Sequence, residues 1–133
     1  MADCIFCKIV KGEIPCHKVY EDDSVLAFLD IAPCSKGHTV VIPKQHGETV
    51  FEFSRNANGH LMGAAIDVMK ILKEKVKCQG FNVGWNHGKA GGQAVSHVHV
   101  HVIPRYEGDQ GGSMHSIVTS SKEGDVDEVA ALL

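Results

Sequence analysis

The sequence predicts one α+β domain, and three observations carry that reading. Several short runs of apolar and β-branched residues are bounded by turn residues, the pattern of strands. One longer run, 57–76, repeats its apolar positions at every third or fourth residue, the pattern of an amphipathic helix. Residues 97–102 alternate histidine and valine, the period of a strand with two unlike faces. A chain of 133 residues with 44% apolar content can bury one core, and no internal repeat points to a second.

The elements follow in order. Cys4-Ile5-Phe6-Cys7-Lys8-Ile9-Val10 crowds Ile5, Phe6 and Ile9 together, so this opening segment should pack against the body. Gly12 and Pro15 mark a turn. Residues 17–21 and 25–30 read as strands separated by Asp22-Asp23, with Asp30 at the second strand's end, a position that suits turn chemistry. Residues 38–43 are apolar on both faces and read as a central strand stopped by Pro43. Residues 48–53 suggest a short helix. The main helix, 57–76, carries Leu61, Ala65, Val68, Leu72 and Val76 on one stripe, lysines near its end, and Gly80 as a stop signal. Residues 81–86 form the next strand. His87-Gly88-Lys89-Ala90-Gly91-Gly92-Gln93 is a glycine-rich loop that lets backbone N–H groups approach an anion, and it feeds the histidine strand at 96–104, which Pro104 ends.

Residues 107–133 differ. They hold six acidic side chains and one basic one, whereas residues 1–106 are nearly balanced. The division is a domain at 1–106 followed by an acidic tail at 107–133. In that tail 107–113 reads as a flexible linker, Ile117 and Val118 as docking residues, and 126–133 as a short helix. This charge pattern does not suggest a nucleic-acid surface. No apolar run is long enough for a membrane span, and no basic-then-apolar leader opens the sequence, so a cytoplasmic protein is expected. Cys4, Cys7, Cys16, Cys34 and Cys78 are odd in number, which argues against a disulfide framework. Cys4-x-x-Cys7 is a spacing for zinc or redox chemistry.

The histidine strand puts His97, His99 and His101 in one row, about 6–7 Å apart, with Val98, Val100 and Val102 behind them. Three imidazoles in a row could hold a catalytic metal, but alternate positions of a flat strand diverge and fit one ion poorly. A nucleophilic role asks less of geometry. Neutral imidazole attacks phosphorus, a neighbouring histidine assists, and the glycine loop holds phosphate oxygens. Cys4 and Cys7 suit a structural metal, and spacing alone leaves its two further ligands open.

His97-Val98-His99-Val100-His101-Val102-Ile103 resembles the His-x-His-x-His signature of the histidine triad (HIT) superfamily. The chain is also similar to its nucleotide-binding branch at Cys4-Ile5-Phe6-Cys7-Lys8-Ile9, Leu26-Ala27-Phe28-Leu29-Asp30, His38-Thr39-Val40-Val41-Ile42-Pro43-Lys44 and Gly91-Gly92-Gln93. The resemblance implies a HIT-like α+β fold: an antiparallel sheet of about five strands with one main and one short helix, paired in a homodimer. It implies that His99 is the nucleophile and that His101 and His38 support it as a hydrogen-bonded pair. Asn86, Gly92, Gln93 and Ala94 would meet the phosphate, and Asp30 the ribose. Ile5, Phe6, Ile9, Phe28 and Ile31 would line the base pocket. Cys4, Cys7, His46 and His97 would hold structural zinc, with no catalytic metal. The implied reaction is attack at the α-phosphate of a purine nucleotide, a nucleoside phosphoramidate first, through a nucleotidyl-histidine. A dinucleoside polyphosphate is the alternative substrate, and a nucleotide-binding regulator with little catalysis the alternative function. Two positions depart from the family pattern: Ala94 stands where the branch often has serine, and the tail does not match the best-known phosphoramidases.

Overall fold

The structure, a computed structural model, describes residues 3–119 and 125–133. Helix α1 spans Ile5–Val10, β1 Lys18–Glu21, β2 Val25–Leu29, β3 Thr39–Pro43, α2 Arg55–Val76, β4 Gly80–Gly84, β5 Val100–Arg105 and α3 Val126–Ala130. The five strands form one sheet in the order β1-β2-β3-β5-β4, antiparallel throughout.

Alternation along the strands gives the sheet two different faces. Val25, Ala27, Val41, Val98, Val100 and Val102 pack under α2 against Leu61, Ala65, Val68 and Leu72. These buried α2 positions follow the helical stripe. Leu26, Phe28, Val40 and Ile42 face the other way and are covered by Phe6, Ile9 and Val10 of α1. The triad histidines share that second face. Register places Val40 opposite His101, and Phe28 opposite Val40 in turn, so a base-pocket residue and a triad histidine lie two strands apart.

Several boundaries differ from the sequence reading. Helix α2 starts two residues early because Ser54 caps it, its Oγ accepting from Ala57 N at 3.0 Å. It ends at Lys77 in the left-handed region (φ 59°), while Gly80 opens β4 instead of stopping the helix. Residues 50–52 form a single 3-10 turn, held by the Glu52 carboxylate accepting from Glu48 N and Thr49 N. Strand β5 begins at Val100, three residues into the His/Val alternation, and runs through Pro104 to Arg105. Its pairing with β3 stops at Val102 while β4 still pairs alongside Pro104 through Phe81, so the proline lies beyond the end of the β3 ladder, and Ser35 Oγ donates to its carbonyl. His97 and His99 precede the paired part of β5 and are buried, not displayed in a row. In the tail, Ile117 and Val118 are exposed and do not dock, and α3 is exposed throughout.

Candidate active site and metal centre

The three triad rings point at three different partners. Val98 N donates to Gly47 O at 2.8 Å, which brings the His46 loop alongside the segment before β5. His97 then meets His46, Cys4 and Cys7. His99 lies edge-on to Phe6 of α1, ring centroids 5.2 Å apart, and His101 meets His38 at the start of β3. The rings do not converge on one ion, so a three-histidine catalytic metal does not fit.

Backbone groups assign each imidazole its tautomer. A carbonyl only accepts and an amide N–H only donates. His97 Nε2 faces Pro43 O at 2.8 Å, so Nε2 carries the proton and Nδ1 keeps a lone pair. His99 Nδ1 faces His97 O at 2.7 Å, so Nδ1 carries the proton and the lone pair sits on Nε2. That Nε2 has no hydrogen-bond partner among the described residues, and no buried side-chain polar atom there lacks one. The atom is therefore open to solvent although the residue is 6% exposed. Cys34 N donates to His38 Nδ1 at 3.0 Å, so His38 donates from Nε2 to His101 Nδ1 at 2.9 Å. His101 is thereby left with its proton on Nε2. Burial pushes the imidazoles of His38, His97 and His101 below the ordinary histidine value, which keeps these neutral tautomers in place.

The lone pair of His97 Nδ1 lies 3.4 Å from Cys4 Sγ, 3.7 Å from Cys7 Sγ and 3.2 Å from His46 Nδ1; Cys7 Sγ is 3.3 Å from His46 Nδ1. A tetrahedral ion with ordinary zinc bond lengths separates its ligands by about 3.3 Å for nitrogen pairs and about 3.6 Å for nitrogen–sulfur pairs. The four side chains match that cage, and the Pro43 carbonyl accepts from His97 Nε2–H and so fixes which way the ring's lone pair points. Burial, with Cys4 beside it, pushes the Cys7 thiol up, and the nearby Lys11 charge opposes this. Cys4, Cys7, His46 and His97 could therefore hold a metal ion. A second cluster, Asp30-His38-His101, also brings ligand atoms together, but the proton on His38 Nε2 points into it.

Beside the histidines lies a cavity of about 280 Å³. Ile5, Phe6, Ile9, Phe28 and Ile31 all line it, and Asp30 stands at its rim. Asp30 serves two ends: Oδ1 accepts from Ala32 N at 2.8 Å in the turn, and Oδ2 lies 3.6 Å from His38 Nε2. The glycine loop contributes Gly92, whose φ of +92° excludes larger residues and whose Cα faces the Asn86 side chain. Ala94 is exposed and brings no side-chain donor. Gln93 behaves differently from the expectation of a phosphate contact. Its Oε1 accepts from Gly88 N at 2.9 Å, and Nε2 donates to Glu48 O at 2.7 Å and Val95 O at 3.0 Å. Both amide protons are engaged, so the side chain braces the loop. Sequence reasoning missed Arg105 and Asp109, which bind each other and fasten residues 107–112 to the sheet where a flexible linker was expected. Their spacing of four residues was the available signal.

The HIT domain model matches residues 11–108. An uncharacterised HIT-like protein of Methanocaldococcus jannaschii is 50% identical over 106 residues, covering 80% of this chain and 81% of that one. The adenosine 5'-monophosphoramidase of Schizosaccharomyces pombe is 47% identical over 105 residues, 77% of this chain and 74% of its own. Among solved structures, a zinc-bound histidine triad family protein from Mycobacterium smegmatis superposes with a TM-score of 0.79 at 32% identity, covering 98% of this chain and 90% of that one. With its triad, its sheet and these relatives in agreement, the chain belongs to the HIT family.

Proposed function

We propose that this protein is a nucleotide hydrolase that cleaves at the α-phosphate of a purine nucleotide conjugate, with a nucleoside phosphoramidate as the preferred substrate. One observation carries the reading: His99 offers an unshared pair on an open Nε2 while its Nδ1–H is anchored on the His97 carbonyl. An S. pombe relative named as a monophosphoramidase supports the substrate class.

The base enters the cavity beside Phe6 and Phe28, the ribose meets Asp30, and the α-phosphate faces His99. Nε2 forms a bond to phosphorus. The phosphorus–nitrogen bond of the substrate breaks, and its electron pair leaves with the amine, which takes a proton from solvent. Positive charge on the His99 ring is stabilised by the charge-assisted Nδ1–H bond to His97 O. His101 Nε2–H, held in that tautomer by His38 and Cys34, donates to a phosphate oxygen as negative charge builds. Water then attacks phosphorus, its proton passes to solvent, the Nε2–phosphorus bond breaks, and the pair returns to His99. The products are a nucleoside monophosphate and the free amine. Cys4, Cys7, His46 and His97 would hold a structural zinc ion, which when bound would tie α1, one wall of the cavity, to the sheet, and the steps above use only side chains and water.

The site is expected in a cytoplasmic homodimer. Strand β4 is an outer strand of the sheet, and beside it lies an apolar hollow of about 570 Å³ lined by Phe51, Met62 and Trp85. Its unpaired strand and its exposed rings suit a second copy of this chain.

The test is turnover of adenosine and guanosine phosphoramidates and of dinucleoside polyphosphates by the unaltered chain and by His99→Ala. Release of nucleoside monophosphate by the first and none by the second supports the reading. Equal rates in the two remove it.

A further inference from the structure

On the far side of His38 and His101 from the base cavity, the same sheet face carries a larger groove of about 570 Å³. Its floor is β4 and β5, at Asn82 and Ile103, and its outer wall is the chain after β5, residues 111–117. Arg105 holds that wall in place. Its Nε and Nη2 donate to the two oxygens of Asp109 at 2.7 and 2.9 Å, and Nη1 donates to Asn82 Oδ1 at 2.6 Å and to the Gly112 carbonyl. Asp109 also accepts from Tyr106 N and Gly111 N. The contact is close: a Cβ on Gly111 would fall 2.5 Å from Arg105 Nη2.

The pair fixes both the position and the charge of the groove. Because His38 and His101 line this groove, a nucleotide bound with its base beside Phe6 and its α-phosphate at His99 would direct its remaining substituent past His101 into this space. Among the described residues Arg105 is the one Lys or Arg side chain lining the groove, and both oxygens of Asp109 are on it. Beyond that pair the lining combines apolar groups such as Trp85, Met114 and Ile117 with neutral amides and hydroxyls, Cys34, and the imidazoles of His38 and His101, which burial keeps below the ordinary histidine value. A polyphosphate chain would give up hydration there without meeting a free cation, whereas an apolar group would bury surface.

We propose that the Arg105–Asp109 pair determines leaving-group specificity. It holds the tail as the wall of a leaving-group subsite and cancels that subsite's cation, so uncharged, partly apolar groups are accepted over phosphate chains. This rests on the nucleotide-hydrolase reading above.

The test uses the full chain and three substrates: an adenosine phosphoramidate of ammonia, one of a primary amine bearing an aromatic ring, and a dinucleoside polyphosphate. The unaltered chain should favour the aromatic amine conjugate over the polyphosphate. Asp109→Asn frees the guanidinium, and the kcat/KM ratio of aromatic conjugate to polyphosphate should fall at least tenfold. Met114→Ala, at a half-exposed wall residue, should lower the ratio of aromatic to ammonia conjugate severalfold, and it decides alone if Asp109→Asn does not fold. Ratios unmoved in variants that still turn over overturn the inference and leave the hydrolase reading standing. No turnover of any of the three by the unaltered chain overturns the hydrolase reading, and this inference with it.

Discussion

Replacing Gln93 with methionine separates a loop brace from a phosphate ligand. Methionine keeps the length of the side chain and removes its three hydrogen bonds, to Gly88 N, Glu48 O and Val95 O. Two of these are partly buried and one is exposed. At about 0.5–1.5 kcal/mol net for each, with solvent replacing the exposed one, the loss is about 2 kcal/mol. For a domain of this size that corresponds to a Tm lower by roughly 6–10 °C. The loop also carries Asn86 and Gly92, so kcat should fall by about ten- to a hundredfold from misplacement alone. Gln93→Glu keeps the acceptor for Gly88 N but turns a carboxylate oxygen onto the Glu48 and Val95 carbonyls, so it should lose at least as much as methionine. Thermal melts and titration with a nucleoside monophosphate read both effects. An unchanged Tm together with binding weakened more than tenfold would refute the brace and restore direct phosphate contact.

Cys4→Ser should abolish metal content and lower the Tm, and nucleotide binding should weaken with it because α1 carries Phe6 into the cavity wall. Metal analysis beside melting checks this, and protein isolated without metal whose melt ignores chelators would contradict it. His38 and His101 titrate below the unfolded value of about 6.5 because burial disfavours their charged forms. The unfolded chain thus binds more protons below that pH, so stability is whole above about pH 6.5 and declines as pH falls further. Melting between pH 7.5 and 5 should show that decline, less steeply in His38→Asn, and a flat or rising Tm would oppose it. Gly47→Ala places a Cβ 2.3 Å from the Phe53 ring and disturbs the loop that presents His46. It should cost about 1–3 kcal/mol in a denaturant melt, and an unchanged midpoint would mean the ring yields freely.

The elements themselves were legible because their signals are local. The 3.6-residue stripe of α2 and the alternation in β5 are set by burial on one face, and the continuous apolar runs of β2 and β3 by burial on both, and composition records each directly. Their ends were less legible. Ser54 as a cap and Lys77 in the left-handed region depend on backbone geometry that neighbouring residues do not announce. The histidine row was misread in extent because burial of His97 is decided by Pro43 and the His46 loop, both distant in sequence. The tautomers were invisible for the same reason: the atoms that assign them are carbonyls and an amide N–H, which every residue carries. Asp109 read as part of a loose linker because its partner, Arg105, follows the proline expected to end the strand, whereas β5 continues through it.

The most direct test of the account is a rapid quench during turnover of an adenosine phosphoramidate, made at alkaline pH, where a phosphorus–nitrogen bond survives, followed by peptide mass spectrometry. The account predicts a nucleoside monophosphate attached to His99 and to no other histidine. Product formation with the adduct on another residue, or with none detectable in a reaction whose water step is slower than its first step, would contradict it.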